Sequence, residues 1–335
     1  MVGWQNAGPP LSTLPASKLP MSARPLIVRL RNWVGDVILG VPALQLLEAH
    51  GYELHLVGKG WAKPLLAGHG WPTHARPGSL RERVKQLRAL RDDAAARDPG
   101  FRRRENALVL PTSFSGALEM RLAGLKAVGY RQEARGFLLA RSEPITYGGH
   151  ALVSYWELAC RFLRTTQPPP QRVSLKTAPA DQQRADELIE RAGLRAGFVV
   201  ICPFAGGTFE KLDKTWPHFP EFTRALLAAG RQVVACPGPG EDDIIRTHHA
   251  GVTLLPGVDL AAYGGLLRRA GVVVSNDTGP GHLAAAVDAP LISVLGPTKP
   301  EQWAPWGPTV DVVRRWPEWP SVDEVLQRVQ ARLPR

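Results

Sequence analysis

The segment from Val274 to Ala286 has the residue types of an anion-binding corner. A short apolar run enters a Gly-rich turn, N-D-T-G-P-G, that opens a helix. The first turn of a helix carries about four unpaired N–H groups and a partial positive charge, so a phosphate fits there. We expect Thr278 and Gly279 to face a diphosphate, and Asp277, which would repel phosphate, to accept hydrogen bonds from sugar hydroxyls. The alternative is that Asp277 or Thr278 only caps the helix.

A second acidic residue, Asp36, ends the motif N-W-V-G-D at residues 32–36, directly after another short apolar run. Gly35 allows a tight turn from strand to helix, which places Asp36 in the first helical turn. A carboxylate there can take a proton from a substrate hydroxyl if it faces a cleft between two domains. The alternative is a first-turn acid that stabilises the helix by roughly 0.5–2 kcal/mol.

Two more strand ends carry groups that suit a nucleotide. Residues 202–208, C-P-F-A-G-G-T, and the nearby Lys214 combine glycines, a hydroxyl and a cation without the spacing of a P-loop. We expect Thr208 and Lys214 to contact a diphosphate, with a surface lysine as the alternative. Glu241 suits ribose hydroxyls, although a first-turn acid is an equally good interpretation. No G-x-G-x-x-G follows a strand, which argues against hydride transfer.

Charge and cysteine content narrow the class of protein. The 335 residues include 41 Lys and Arg against 30 Asp and Glu, a net charge of +11, which favours an anionic partner. Nine basic residues against four acids lie between Arg81 and Arg104. Cys160, Cys202 and Cys236 lack the spacing of a zinc site or a disulfide framework, so we expect them reduced, as in the cytosol. The sequence has no run of about 18 apolar residues, which is the length that would predict a transmembrane helix.

Apolar, β-branched runs alternate with helical segments along most of the chain. This pattern predicts parallel β-α-β units in two Rossmann-like halves, whose ligands bind outside the carboxyl ends of the strands. The Pro-rich stretch at 165–170 is the best linker. Four prolines and no signal-peptide pattern precede Met21, which is an alternative start. The predicted organisation is a disordered tail at 1–20, an N-terminal domain at 21–167, a C-terminal domain at 168–320 and a final helix at 321–335 that packs back across the domain boundary.

Three motifs together resemble the heptosyltransferase family of bacterial glycosyltransferases. They are N-W-V-G-D at 32–36, K-x-W-P at 214–217, and S-N-D-T-G-x-x-H-x-A-A-A at 275–286 with G-P-T at 296–298 downstream. The resemblance covers nearly the whole chain from Met21. It implies the α/β GT-B architecture, in which two Rossmann-like parallel-sheet domains face a cleft, with the acceptor on the N-terminal domain and the nucleotide sugar on the C-terminal one. It also implies inverting transfer of heptose from ADP-L-glycero-D-manno-heptose to the inner core of lipopolysaccharide.

The resemblance assigns roles to individual residues. Asp36 matches the general base, Lys214 a diphosphate contact, and Arg31 and Asn32 the acceptor-binding rim. The residues expected to bind the diphosphate, heptose, ribose or adenine of the donor are Thr208, Lys214, Glu241, Val258, Asp277, Thr278, Gly279 and His282.

Such a transfer needs one carboxylate to accept a proton and positive groups to stabilise the departing diphosphate. No Asp-x-Asp occurs, so we expect no metal and no cofactor. The expected partners are ADP-heptose, a lipid-linked anionic saccharide (Kdo-lipid A or a heptosylated core) and the inner membrane surface, which the basic segment 81–104 suits. The expected location is cytoplasmic, with peripheral attachment to the inner membrane.

Two alternatives remain open at this level. A basic nucleic-acid-binding protein would explain the charge, although no helix-turn-helix, RNA-binding aromatic motif or zinc module is present. A GT-B glycosyltransferase or epimerase with another nucleotide sugar would share the architecture. The sequence does not fix which heptose is added, although N-W-V-G-D is nearer the pattern of the second-heptose transferases.

Overall fold

The computed structural model describes residues 23–333, in which two six-stranded parallel sheets form an α/β fold. The tail predicted at 1–20 lies outside the described residues. The strands of the first sheet are β1 (Arg24–Arg29), β2 (Tyr52–Gly58), β3 (Thr73–Ala75), β4 (Ala107–Val109), β5 (Ala127–Tyr130) and β6 (Arg141–Glu143). They lie side by side in the order β3-β2-β1-β4-β5-β6, which is the doubly wound order of nucleotide-binding folds.

Helices cover both faces of this first sheet. β1 is buried from its second residue onward, as expected for a central strand covered on both faces. A capping box starts the basic helix, because the Ser79 hydroxyl accepts from the Glu82 amide at 3.3 Å and donates to the Glu82 carboxylate at 2.8 Å. The helices of this half are α1 (Val34–Ala49), α2 (Ala62–Leu66), α3 (Leu80–Arg97), α4 (Phe114–Leu122) and α5 (Ala151–Leu163), with short 3₁₀ turns at 67–69 and 135–138.

The second sheet repeats the same topology. Its strands are β7 (Val199–Cys202), β8 (Val233–Ala235), β9 (Thr253–Leu254), β10 (Val272–Ser275), β11 (Leu291–Leu295) and β12 (Val310–Arg314), in the order β12-β11-β10-β7-β8-β9. Its helices are α6 (Pro179–Arg191), α7 (Phe219–Ala228), α8 (Asp242–His248), α9 (Leu260–Arg269), α10 (Gly279–Ala286), α11 (Pro300–Trp303) and α12 (Val322–Gln330).

The topology fixes where chemistry can occur. In each sheet the strand order reverses between two neighbouring strands, β1 and β4 in the first and β7 and β10 in the second. Ligands of open parallel sheets bind outside the carboxyl ends of strands at such a reversal. The first turns of α1 and α10 lie at these two points and pack directly on each other. The two halves therefore meet at the sheet edges where ligands are expected to bind.

The structure confirms the predicted fold class and adds three edge strands. The central strands were readable as apolar runs, whereas β3 has only three residues and β6 is the polar segment R-S-E. β12 is rich in valine, but its burial is only partial, as in a strand that pairs on one side. An edge strand has only one paired neighbour, so its sequence is constrained less than that of a central strand.

The last helix packs on the second sheet, and its predicted packing across the domain boundary stays a prediction. α12 contacts α7 and β11 of its own half, and its buried residues Val325 and Val329 join the hydrophobic core of the second sheet. The physical reason is its amphipathic pattern, which matches an uncovered face of that sheet. Among residues 23–333, no helix is both long enough and apolar enough to span a bilayer.

Candidate active site

Asp36 lies in the first turn of α1, buried at 7% exposure, with two donors on one carboxylate oxygen. The Tyr155 hydroxyl donates to Oδ1 at 2.5 Å, and Arg31 Nε donates to the same atom at 3.3 Å. Burial and the nearby carboxylate raise the pKa of Tyr155 well above its usual value, so this hydroxyl stays protonated. Within the described residues, Asp36 Oδ2 accepts no hydrogen bond from protein, which leaves it free for a substrate hydroxyl.

Asp277 follows β10 and has three neighbours that fix its orientation. Lys214 Nζ donates to its backbone oxygen at 3.1 Å and to Oδ2 at 3.2 Å, and the Thr298 hydroxyl donates to Oδ2 at 2.7 Å. His282 Nε2 lies 3.9 Å from the other oxygen, Oδ1. The structure therefore brings together Asp277, Lys214 and His282, with an ion pair between Lys214 and Asp277.

Asn276 connects the loops that carry this cluster. Its side chain is fully buried, donates to the carbonyl of Pro203 at 2.6 Å and accepts from the backbone N–H of Trp216 at 3.0 Å. A buried amide with both ends satisfied holds its partners in one arrangement. The loop after β7, the segment carrying Lys214 and the turn before α10 are therefore fixed to each other.

His282 joins the two halves of the site. Its ring is buried against Gly35, where an added Cβ would come within 2.7 Å of His282 Cδ2. Burial lowers the pKa of His282, despite the opposing charges of Asp277 and Asp36, so the ring is neutral at neutral pH. Its Nδ1 has no hydrogen-bond partner within the described chain. One turn earlier, Gly279 makes the same kind of contact, since a Cβ there would lie 2.8 Å from Val34.

A cleft of about 720 Å³ opens beside the contact between α1 and α10 and has the size of a cofactor or nucleotide pocket. Glu241, Val258 and Thr278 line it, as the donor assignment requires, with apolar walls from Ile245 and Tyr263. Residues of the first half, including Val34, Gly60, Trp61 and Pro64, complete the opposite wall. The cleft therefore lies between the two halves of the protein, and residues of both halves form its walls.

The side chains of the site make contacts beyond helix capping, although Asp36 does occupy the first turn of α1, as its alternative interpretation has it. Thr278 occupies the N-cap position of α10 without a side-chain cap hydrogen bond. Asp36 lies inside α1, whose N-cap residue is Trp33, and its carboxylate bonds to other elements. The Glu241 carboxylate accepts from the N–H of Gly238 at 2.7 Å, so it supports the turn that forms part of the cleft wall.

Two predicted residues lie apart from these clusters. Thr208 is exposed in the loop after β7 and does not belong to the lining of the cleft. Asn32 accepts from Arg29 at 3.0 Å, on the rim next to Asp36. The roles assigned to both residues remain predictions.

Two residues of the clusters were missed by the sequence reasoning. Tyr155 lies in the middle of α5, 119 residues from Asp36, and carries no local signal. Thr298 follows β11 in the G-P-T motif, so the strand-end rule that found Asp277 would also have found it.

Comparison with known proteins assigns the family. The model of glycosyltransferase family 9 (heptosyltransferase) matches residues 101–331. Lipopolysaccharide heptosyltransferase 2 of Escherichia coli K12 is 26% identical over 316 residues, 84% of this chain and 86% of that protein. Lipopolysaccharide heptosyltransferase 3 of E. coli is 33% identical over 144 residues, only 41% of this chain and 42% of that protein.

Solved structures agree on the architecture. E. coli ADP-heptose lipopolysaccharide heptosyltransferase II superposes with a TM-score of 0.73 at 23% identity, covering 91% of this chain and 97% of that one. An E. coli heptosyltransferase with bound ADP gives a TM-score of 0.68 at 22% identity, with coverages of 92% and 99%. Two facing Rossmann-like domains of this kind define the GT-B class of nucleotide-sugar enzymes. The chain belongs to glycosyltransferase family 9, the heptosyltransferases, which favours the transferase interpretation over a nucleic-acid-binding protein.

Proposed function

We propose that this protein is an inverting glycosyltransferase that moves heptose from ADP-heptose to the inner core of lipopolysaccharide. The observation that carries the proposal is the meeting of Asp36 with the Asp277 cluster where α1 packs on α10, beside a nucleotide-sized cleft. Relatives named lipopolysaccharide heptosyltransferases, and one solved with ADP, support the donor and the acceptor class.

The second half of the protein binds the donor in this proposal. Adenine and ribose occupy the cleft against Val258 and Glu241, and the diphosphate lies near Lys214 and the first turn of α10, where the N–H of Gly279 and the positive end of the helix dipole favour an anion. Lys214 is already paired with Asp277. This pairing holds the ammonium group in position, so little reorganisation is needed when negative charge develops on the departing ADP.

The first half supplies the base. Asp36 Oδ2 takes the proton from the acceptor hydroxyl as that oxygen attacks the anomeric carbon, and the bond from that carbon to ADP breaks on the opposite side. Tyr155 and Arg31 hold Oδ1, so only one carboxylate oxygen is available to the acceptor. Neutral His282 packs between the two halves and sets the separation of Asp36 from the donor sugar.

The acceptor is an anionic saccharide linked to lipid, either Kdo-lipid A or a heptosylated core, and the reaction uses neither a metal nor another cofactor. Positively charged Lys214 and helix N–H groups stabilise the leaving diphosphate. The protein works in the cytoplasm at the inner membrane surface, to which it attaches peripherally through its excess of positive charge.

Asp36→Asn tests the base assignment. The asparagine keeps the shape of the side chain but cannot accept the proton, so transfer should fall by about 10²–10⁴-fold. ADP-heptose should still protect the variant against thermal unfolding, because Asp36 does not line the nucleotide cleft. The assay is ADP release from ADP-heptose with purified core acceptor.

Asp181→Asn is the matched control. Asp181 is also a first-turn acid at 7% exposure and is also paired with an arginine, Arg184, but it lies on α6. Its replacement should leave turnover unchanged. Normal turnover in Asp36→Asn would refute the base, and no ADP release by the wild-type protein with any core acceptor would refute the proposed function.

A further inference from the structure

Helices α3 and α4 lie side by side and present two matched rows of exposed side chains. On α4, Phe114 and Leu122 share one face and are exposed at 38% and 44%, while Leu118 between them is half-buried against the core of the first sheet. Large apolar groups in such a row are unusual at a surface that meets only water.

The neighbouring row on α3 is cationic. Arg81, Lys85 and Arg88 are exposed and spaced by four and three residues, so they share one helix face. None of the three forms an ion pair within residues 23–333. Arg88 donates to the carbonyl of Leu122 at 3.0 Å, which fixes the cationic row next to the apolar one.

Further aromatic residues extend the apolar row towards the active site. Phe137 is 73% exposed and packs on Phe114 with ring centroids 6.2 Å apart. Tyr147 is 76% exposed, and its hydroxyl accepts from Gln132 in the loop that carries Phe137. These residues follow the carboxyl ends of β4, β5 and β6, the edge of the sheet from which Asp36 also projects.

Loop 131–137 is held rigidly in this position. Arg135 is fully buried and donates to the carbonyls of Pro111, Ser113 and Tyr130 at 2.6–3.0 Å. Glu133, the acid of this loop, accepts from the N–H of Phe114 at 2.8 Å, so its charge is engaged with the start of α4. Phe137 is therefore displayed on a fixed platform.

We propose that the aromatic-basic face, defined as Phe114, Leu122, Phe137, Tyr147, Arg81, Lys85 and Arg88, docks on an anionic phospholipid bilayer. Aromatic and apolar side chains enter the boundary between headgroups and acyl chains, while cations beside them pair with lipid phosphates. The combination favours lipid over nucleic acid, because nucleic acid gains nothing from an exposed aliphatic side chain such as that of Leu122. The inference rests on the proposed function only in taking the acceptor to be embedded in that bilayer, which the docked face then brings to Asp36.

Vesicle binding by the full-length protein tests the face. The wild-type protein should bind vesicles of phosphatidylcholine mixed with phosphatidylglycerol and bind phosphatidylcholine alone much less. Phe137→Ser should weaken binding by about tenfold, since one aromatic side chain no longer leaves water. Arg81→Glu with Lys85→Glu should weaken it more, since each cation near the surface contributes about fivefold and its reversal adds repulsion.

Matched controls separate vesicle binding through this face from nonspecific binding by other surface residues. Ile244→Ser removes an exposed apolar residue of α8, at 47% exposure, and Arg195→Glu reverses an exposed cation of the second half. Both should bind vesicles like the wild-type protein. Unchanged vesicle binding by Phe137→Ser and the charge-reversal variant, or wild-type binding to heparin but not to anionic vesicles, overturns the proposal.

A second readout keeps this proposal distinct from the proposed function. Phe137→Ser should raise KM for acceptor held in anionic vesicles, while turnover on deacylated, water-soluble acceptor stays unchanged. Equal loss on both acceptors would mean that the variant damages the active site and would overturn docking. Absence of any transfer by the wild-type protein would refute the heptosyltransferase assignment, and vesicle binding would still decide the docking face.

Discussion

Gly35→Ala tests whether the contact between α1 and α10 sets the geometry of the site. The new methyl group would start 2.7 Å from His282 Cδ2 and 3.1 Å from Nε2, distances that a Cβ cannot keep. His282 cannot retreat easily, because its ring is buried between the two halves. The first turn of α1, which carries Asp36, must therefore move away from α10.

The magnitude follows from two opposing terms. Overpacking of a filled site costs about 1–3 kcal/mol, whereas alanine in place of glycine in a helix returns up to about 1 kcal/mol. The net loss of unfolding free energy is then about 0–3 kcal/mol. Activity should suffer more, since a misplacement of about 1 Å between reacting groups costs roughly 10²-fold in rate. We expect turnover to fall by about tenfold to 100-fold.

Steady-state transfer and thermal unfolding, measured on the same samples, separate the two effects. Gly40→Ala is the matched control on the same helix, because its nearest contact would be Leu110 Cδ1 at an ordinary 3.6 Å. It should keep wild-type turnover and a wild-type or higher melting temperature. If Gly35→Ala turned over like Gly40→Ala, the two halves would not depend on this contact and the reasoning would be wrong.

Two further outcomes follow from buried groups. Thr298→Val keeps the side-chain volume but removes the hydroxyl that donates to Asp277 Oδ2. ADP-heptose binding, measured by calorimetry, should weaken by about tenfold in this variant and recover in Thr298→Ser. Wild-type affinity in the valine variant would contradict this expectation. Burial lowers the pKa of His249 to about 4 from 6.5, so the unfolded chain binds a proton that the native state rejects, and stability is lost as pH falls between these values. His249→Gln should therefore reduce the loss of unfolding free energy at acid pH by up to about 3 kcal/mol. The same change at its exposed neighbour, His248→Gln, should not reduce this loss. Parallel curves of unfolding free energy against pH for all three proteins would refute the assignment.

Much of the fold was readable because central strands of parallel sheets are continuous apolar runs. β5, β10 and β11 are buried, largely apolar runs of four or five residues, and Asp36 lies in the first turn of α1 as the N-W-V-G-D motif predicts. Three edge strands escaped, since one paired neighbour leaves little trace in composition. The surface on which α12 packs is not readable either, because amphipathicity shows that a helix has a buried face but not which surface receives it.

The candidate site shows the same contrast between residues that the sequence predicts and residues that it misses. Asp36, Lys214 and Asp277 follow strands in motifs with glycine or proline, and local rules find such residues. Tyr155 reaches Asp36 only through packing of α5 on α1, a contact across 119 positions that a single sequence does not encode locally. Asn276 stands inside a recognised motif, yet its function as a connector became visible only with both of its partners in place.

In the proposed mechanism, the first turn of α1 separates the two substrates. Val34 forms part of the wall of the cleft proposed for the nucleotide, and two residues later Asp36 contacts Tyr155 on the side proposed for the acceptor. A substitution that shifts the backbone of this turn should therefore alter affinity for both substrates, so acceptor preference cannot change there without a matching change in donor affinity. Divergence in acceptor choice within this family should therefore accumulate outside this turn, while the shared turn stays fixed.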